Sequence, residues 1–289
     1  MAAGPKRHHY IPQMMLRHFV DEHGQLWFWR RTFEPGEVKT VSTQNIFVEK
    51  DLYTRVGADG SKDLSLETFF SDLEGTGAAF IRQLCEIVRN NELPKLDDGA
   101  WDFWDHFFYY LQKRTPGAIA AIAEQMGFGK KIEATAAEVR AARAERGDDS
   151  DQPDLEQWIA KNAIVVAQAR APGPELLATL KTLGLAIYRI KDPMKSFIVS
   201  DVPGATAKFP TGNGWSHPTL FIPLTADIAV GHLAGGRRTE VITVDRDQVR
   251  RMNVASAARS TVLAGRSKAL LASLSRDVPY VGVTPLDFI

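Results

Sequence analysis

The sequence predicts an α+β fold, and three observations carry that reading. Period-two segments lie near the start, stretches with helical spacing fill the middle, and strand-like runs return in the last third before a late helix. The expected architecture is an N-terminal β-hairpin, a mainly helical central core, and a C-terminal mixed or antiparallel β-sheet with a late helix. The 289 residues read as a single globular domain, 1–289, with a mobile charged insertion near 127–153.

The elements follow in order. PKRHHYIPQMMLRHF, residues 5–19, sets two histidines, a tyrosine and a proline before a short amphipathic helix that begins near Gln13. Residues 25–31 alternate, with Leu26, Phe28 and Arg30 on one face and Trp27 and Trp29 on the other; EPGE at 34–37 turns the chain back into EVKTVS. Residues 45–54 form a short β-like or irregular segment. Residues 64–89 carry Leu66, Phe69, Phe70, Leu73, Phe80, Leu84 and Ile87 at helical spacing, and Gly75 and Gly77 either kink this helix or permit close packing. Residues 101–126 are apolar almost all round, as a central core helix is, with a break at Pro116 and an N-cap at Asp97 or Asp98. A solvated Ala/Glu/Arg/Lys helix then leads into a mobile loop. Asp151 or Asp154 caps the next helix, and 172–184 form one more, with proline at its start and Gly184 at its C-terminus. Strands are expected at 185–190, 196–201, 219–225 and 227–235, a helix from about 245 to 265, and a final strand at 278–283.

Composition narrows the function classes. Lys plus Arg and Asp plus Glu both number 35, so whole-chain charge lends no support to a general nucleic-acid or membrane binder. The single cysteine, Cys85, excludes a thiolate metal site built by this chain alone. No stretch approaches ~18 uninterrupted apolar residues, and MAAGPKRHH lacks an apolar signal core. A cytoplasmic location without a membrane partner is expected.

Several fragments line up with one pattern: HHYIPQ followed by Leu16 and Phe19, then LWFW, the acidic helix around Glu67 and Glu74, LQKRTP, FIVSDVP and FIPLT. Together they resemble a bacterial family with an N-terminal HHYIPQ signature, the domain of unknown function 4238. The resemblance spans His8 to about Asn253, and its distinctive parts are HHYIPQ and the FIVSDVP segment. It implies that these polar positions belong together and implies no reaction. The Ala/Glu/Arg stretch near 130–150 falls outside it.

The polar positions each admit two readings. His8 and His9 are neighbours in an extended segment and point to opposite sides, so one of them is the better candidate for acid/base work. The other reading is a histidine bonded to a backbone carbonyl that orients the following helix. Glu67 and Glu74, seven residues apart, share a helical face with Ser71 and either hold a divalent metal or lie on a solvated face. Gln112 and Arg114 follow the apolar FFYY run. A guanidinium there either pairs with Asp201 or Glu74 or binds a phosphate or carboxylate. Ser200 and Asp201 end an apolar strand, where sites are often built. The GNGWSHP loop adds Asn213, Ser216 and His217 as a weak signal. The motifs GxSxG, Walker A, HExxH and GxGxxG are absent.

These positions predict an enzyme acting on a phosphate-containing substrate, nuclease-like, with nucleic acid or a nucleotide as substrate. His8 or His9 would be the acid/base, Arg114 would stabilise phosphate charge, and Asp201 with Glu74 would hold a divalent metal or orient the histidine. Tyr10, Gln13, Gln112, Ser200 and Asn253 would bind substrate. A bacterial defence or toxin setting suits such an enzyme. The alternative is a non-catalytic interaction or sensor module. In that reading the same network is structural, and a protein partner or a second copy docks on the aromatic hairpin around Trp27 and Trp29.

Overall fold

The computed structural model describes residues 7–125, 127–147, 154–211, 214–216 and 218–282. The chain opens with β1 (Arg7–His9), α1 (Gln13–Leu16), β2 (Leu26–Arg30), β3 (Lys39–Val41), β4 (Val48–Lys50), β5 (Arg55–Val56) and β6 (Lys62–Asp63). Helices follow: α2 (Ser65–Arg89), α3 (Asp98–Lys113), α4 (Pro116–Gln125), α5 (Phe128–Ala144), α6 (Leu155–Ala169) and α7 (Pro174–Lys181). Next come β7 (Gly184–Ile190), β8 (Val199–Ser200), β9 (Ala205–Ala207), β10 (Pro210–Thr211), β11 (Gly214–Trp215), β12 (Thr219–Pro223), β13 (Ile228–Leu233) and β14 (Thr239–Val244). The last elements are α8 (Arg246–Arg259), β15 (Val262–Gly265) and α9 (Lys268–Asp277). The expected α+β class is observed.

Two sheets organise the core. The larger runs β14-β7-β13-β12-β9, with β14 parallel to β7 and the other pairs antiparallel. The smaller is antiparallel, β3-β2-β15-β8, and contains the expected hairpin. Both faces of the larger sheet are buried, and period two sorts its side chains. Leu185 and Ile187 pack with Val230, Ile222 and the helical residues Leu84, Trp104 and Phe107. Ala186, Tyr188 and Ile190 pack with Leu16, Phe19, Leu26 and Met252 on the other side. β2 divides as its alternation predicts: Leu26 and Phe28 enter that shared core, while Trp27 and Trp29 join Leu263, Leu271 and Leu274 below α9. Trp29 is therefore only 3% exposed, and the indole N–H of Trp27 donates to Asp21 at 2.9 Å. The hairpin's aromatic side chains serve the core, which corrects the expectation of an exposed docking hairpin.

Local chemistry sets the helix ends. The Asp97 carboxylate accepts from Ala100 N–H at 2.8 Å and starts α3, and Asp245 forms a reciprocal cap with Gln248 at α8. At α4, Pro116 takes the first helical position and Thr115 Oγ1 accepts from Ala118 N–H, so the expected break is a capped restart. Asp154 stands at the start of α6 without a side-chain cap bond; Asp151 lies outside the described residues.

Some expectations fail for tertiary reasons. Residues 262–265 do not continue α8: Ser260 turns extended (φ −113°, ψ 147°), and the Val-Leu-Ala run inserts between β2 and β8 as a central strand. The expected strand at 196–201 shrinks to β8, and β14 and α9 emerge where neither was expected. No strand forms at 278–282. Gly184 opens β7 instead of closing α7; a Cβ there would meet the Arg238 carbonyl oxygen, so only glycine permits the close approach. The charged insertion holds the regular helix α5, and the loop expected at 148–153 lies outside the described residues.

α2 runs unbroken through both of its glycines, which differ in surroundings. Gly75 is exposed with open space at its Cβ position, whereas a Cβ on buried Gly77 would lie 2.8 Å from the Phe107 ring and 3.1 Å from Met14 Cε. Gly75→Ala is therefore expected to stabilise the fold by about 1 kcal/mol through helix propensity. Gly77→Ala is expected to lose that gain and destabilise, as read by urea denaturation of both variants.

Candidate functional site

The HHYIPQ segment enters a buried polar network. β1 pairs with β4, so His8 faces Glu49 across the ladder and His9 faces Val48. As alternation requires, the two rings find different neighbours. His8 is fully buried, its Nδ1 accepts the Tyr53 N–H at 2.9 Å, and its ring stacks on Tyr53 with centroids 5.4 Å apart. Glu67 Oε2 lies 3.7 Å from the same Nδ1. Burial raises the Glu67 pKa. His9 is half-buried, its Nε2–H donates to the Thr43 carbonyl at 3.0 Å, and burial lowers its pKa.

Arg114 sits at the centre of this network. It ends α3, is 3% exposed, and meets Glu74 at 2.7 Å through Nη2. Nη2 also donates to the His9 carbonyl, and Nε donates to the Tyr53 hydroxyl at 3.0 Å. The guanidinium lies over the Phe70 and Tyr53 rings at 4.6 and 5.3 Å. Burial opposes its charge, but Tyr53 and Glu74 outweigh that and raise its pKa further. Burial pushes the Tyr53 hydroxyl up to about 12, so it stays protonated. Its one proton has two acceptors in range, the carbonyls of His9 at 3.2 Å and Arg114 at 3.3 Å. Tyr53 is the network's hinge and escaped sequence reasoning, because an irregular segment carries no periodic signal.

The remaining candidates lie elsewhere. Asp201 does not join Arg114: its carboxylate accepts from the Thr261 hydroxyl and from the Thr261 and Val262 N–H groups, latching β8 to β15. Ser200 donates to the Val202 carbonyl at 2.7 Å. Asn253 clamps α8 to the segment just before β8, accepting from Ile198 N–H at 3.1 Å and donating to the Ser196 carbonyl at 2.9 Å. Tyr10 packs edge-on to Phe47, and Gln13 reaches Thr43 Oγ1 at 3.4 Å. Ser216 accepts from Phe209 N–H at 2.9 Å; Asn213 and His217 lie outside the described residues. Among the described residues, no three His, Cys, Asp or Glu side chains gather closely enough to hold a metal ion.

Gln112 belongs to a different place. Asp105, Phe108 and Gln112 form one stripe of α3, at spacings of three and four, and this stripe faces the larger sheet. Beside it lies a cavity of about 230 Å³ walled by Phe108, Leu176, Leu180 and Leu220, with Gln112, Lys113 and His232 as polar lining. Buried Asp105 pairs bidentately with Arg237, which lies over the Trp101 ring at 4.7 Å. Lys113 Nζ donates to the Tyr109 hydroxyl and the Arg170 carbonyl, both at 2.7 Å, and burial lowers its pKa to about 8. His232, Asp105 and Arg237 were missed. A polar residue inside an aromatic helix was a legible signal for Asp105; nothing local marked the strand histidine.

A wider cleft of about 650 Å³ carries Arg89, Arg189 and Arg266. Each guanidinium is already engaged: Arg89 with Asp227, Arg189 with the Val88 carbonyl and Asn91, and Arg266 with the Pro193 and Lys195 carbonyls. No helix among the described residues is long and apolar enough to cross a membrane.

Burial lowers the His232 pKa to about 4, with Asp105 opposing the shift and Arg237 adding to it. An unfolded chain protonates this histidine near pH 6.5. Between those values the unfolded state binds more protons, so stability falls as pH drops from 6.5 towards 4. Urea denaturation at pH 4.5 and 7 is expected to show this loss. His232→Gln is expected to remove part of it, with His9 and His18, whose pKa values burial also lowers, contributing to the remainder.

No curated protein and no solved structure matches the chain. A family model described as a protein of unknown function, DUF4238, matches residues 7–268, which include the HHYIPQ segment, Arg114, Gln112 and Asp201. The chain belongs to the DUF4238 family.

Proposed function

We propose that the chain is a non-catalytic sensor or interaction module in which the His8–His9–Arg114 network is structural. The observation that carries this reading is the state of Arg114: 3% exposed, with its donors on Tyr53, Glu74 and the His9 carbonyl. A phosphate clamp needs a guanidinium that faces an opening. Here the fork is turned inward, where it ties β1 to α2 and α3. The carboxylate that was to share a metal with Glu74 is committed to Thr261 and Val262.

The phosphodiesterase reading keeps one favourable observation. Glu67 and Glu74, 26% and 23% exposed, stand on one helical stripe beside buried His8 and Arg114, and Glu67 has a raised pKa. That pair could divide acid and base roles, yet two carboxylates repel a phosphate unless a cation lies between them.

The two readings separate on Arg114. Arg114→Ala is expected to lower unfolding free energy by about 3 kcal/mol or more, because it strands Glu74 and removes donors from two buried oxygens. Glu74→Gln, which keeps a hydrogen bond but leaves the buried guanidinium without its carboxylate, is also expected to lose about 3 kcal/mol. With Mg²⁺ or Mn²⁺ and labelled DNA or RNA, the full chain is expected to produce no cleavage. Cleavage that Arg114→Gln abolishes at unchanged Tm would overturn the proposal.

A further inference from the structure

The wider cleft, where the ends of α2, β7 and β15 meet the β12–β13 turn, differs from the Arg114 network in being open and in its charge balance. Its charged lining is Arg89, Arg189, Lys191 and Arg266 against Asp192 and Asp227. Arg89 and Asp227 pair bidentately, at 2.6 and 2.8 Å, and cancel. Asp192 accepts from the Met194 N–H at 2.9 Å, so one of its oxygens holds a turn. Two net positive charges remain. Arg189 and Arg266 bond only neutral oxygens. Arg189 reaches the Val88 and Arg89 carbonyls at the end of α2, and the Asn91 side chain. Arg266 reaches the Pro193 and Lys195 carbonyls through Nη2 alone. A carbonyl fixes a guanidinium in place without neutralising it, and a helix C-terminus offsets only about half a charge. Nε of Arg189, and Nε and Nη1 of Arg266, have no acceptor among the described residues, and these nitrogens are open to water.

These donors define a ligand class. Lys191 adds an exposed ammonium with no partner among the described residues. His18, half-buried in the same wall, has its pKa lowered by burial and by Arg89, with Asp227 opposing, so it faces the cleft's charge as a neutral ring. Guanidiniums already fixed by carbonyls lose little side-chain freedom when a ligand arrives. A carboxylate accepts one planar fork, whereas a phosphate has three terminal oxygens and takes donors from several directions. Here the donors come from β7, the segment after it and the end of β15. A phosphate monoester, close to a dianion at pH 7, also matches the two positive charges. About 650 Å³ equals the liquid volume of about twenty waters, room for a phosphate with a body attached. We infer that this cleft binds a small phosphorylated molecule, with its phosphate oxygens on Arg189, Lys191 and Arg266. The inference deepens the proposed sensor reading by naming its ligand class, and it rests on that reading for the consequence of binding.

The test is calorimetric titration of the full chain with inorganic phosphate and pyrophosphate, with citrate as the carboxylate control, all at matched ionic strength. Phosphate or pyrophosphate is expected to saturate one site and to bind more tightly than citrate. Arg189→Gln and Arg266→Gln are each expected to weaken that binding at least about tenfold. Arg189 also caps α2, so Lys191→Gln keeps the test open should Arg189→Gln fail to fold. Lys191→Gln is expected to weaken binding about threefold at unchanged Tm. Lys130→Gln, on exposed α5, is expected to change nothing. Four outcomes overturn the inference: neither phosphate probe saturates a site, citrate alone binds, the Arg266 and Lys191 variants bind as tightly as the parent, or Lys130→Gln weakens binding as much as Lys191→Gln. Nucleic-acid cleavage by the full chain would overturn the sensor reading and leave this site standing. Failure of the probes would remove the site and leave that reading.

Discussion

A single buried guanidinium holds the N-terminal signature, the irregular segment after it and helices α2 and α3 in one arrangement. Arg114 reaches the His9 carbonyl on β1, the Tyr53 hydroxyl and Glu74 on α2, all from the end of α3. A charge removed from water is tolerated only when its donors are matched, so each of these segments is constrained by the others. His8 adds to the constraint from the other side of Tyr53, accepting its N–H and stacking on its ring. The two histidines thus act through different atoms. His8 contributes its imidazole, whereas His9 contributes chiefly its backbone oxygen.

Behind that tie, the larger sheet is buried on both faces, and its two layers serve different ends. One face joins the hairpin, α1 and α8 in a closed apolar core. The other faces α2, α3 and α7, where packing is incomplete and leaves the cavity that Gln112 and His232 line. Asp201 and Asn253 have their polar atoms matched by backbone groups of neighbouring elements, which is what a structural latch requires. Gln112 is buried with its amide unmatched among the described residues.

Much of the architecture was legible because it depends on near neighbours in sequence. The alternation of Leu26 and Phe28 against Trp27 and Trp29, the long period of α2, and the cap at Asp97 all follow from spacing and local hydrogen bonding. The strand at 262–265 was not legible, since its residues extend a helical pattern and only pairing with β2 and β8 draws them into a sheet. Among the site candidates, the expectation that Arg114 pairs or binds an anion was open, and Glu74 was one of the two partners named.

By itself the sequence determined the fold class, most helices and the requirement that the polar residues of HHYIPQ and LQKRTP find partners in a buried setting. Only the tertiary structure decided which partners. Arg114 closes on Glu74, Tyr53 and a carbonyl, while Gln112, two residues earlier on the same helix, packs its amide against Gly204 with no hydrogen-bond partner among the described residues. The physical reason is the helical turn: two residues of separation rotate a side chain to another face, and what waits there comes from segments distant in sequence.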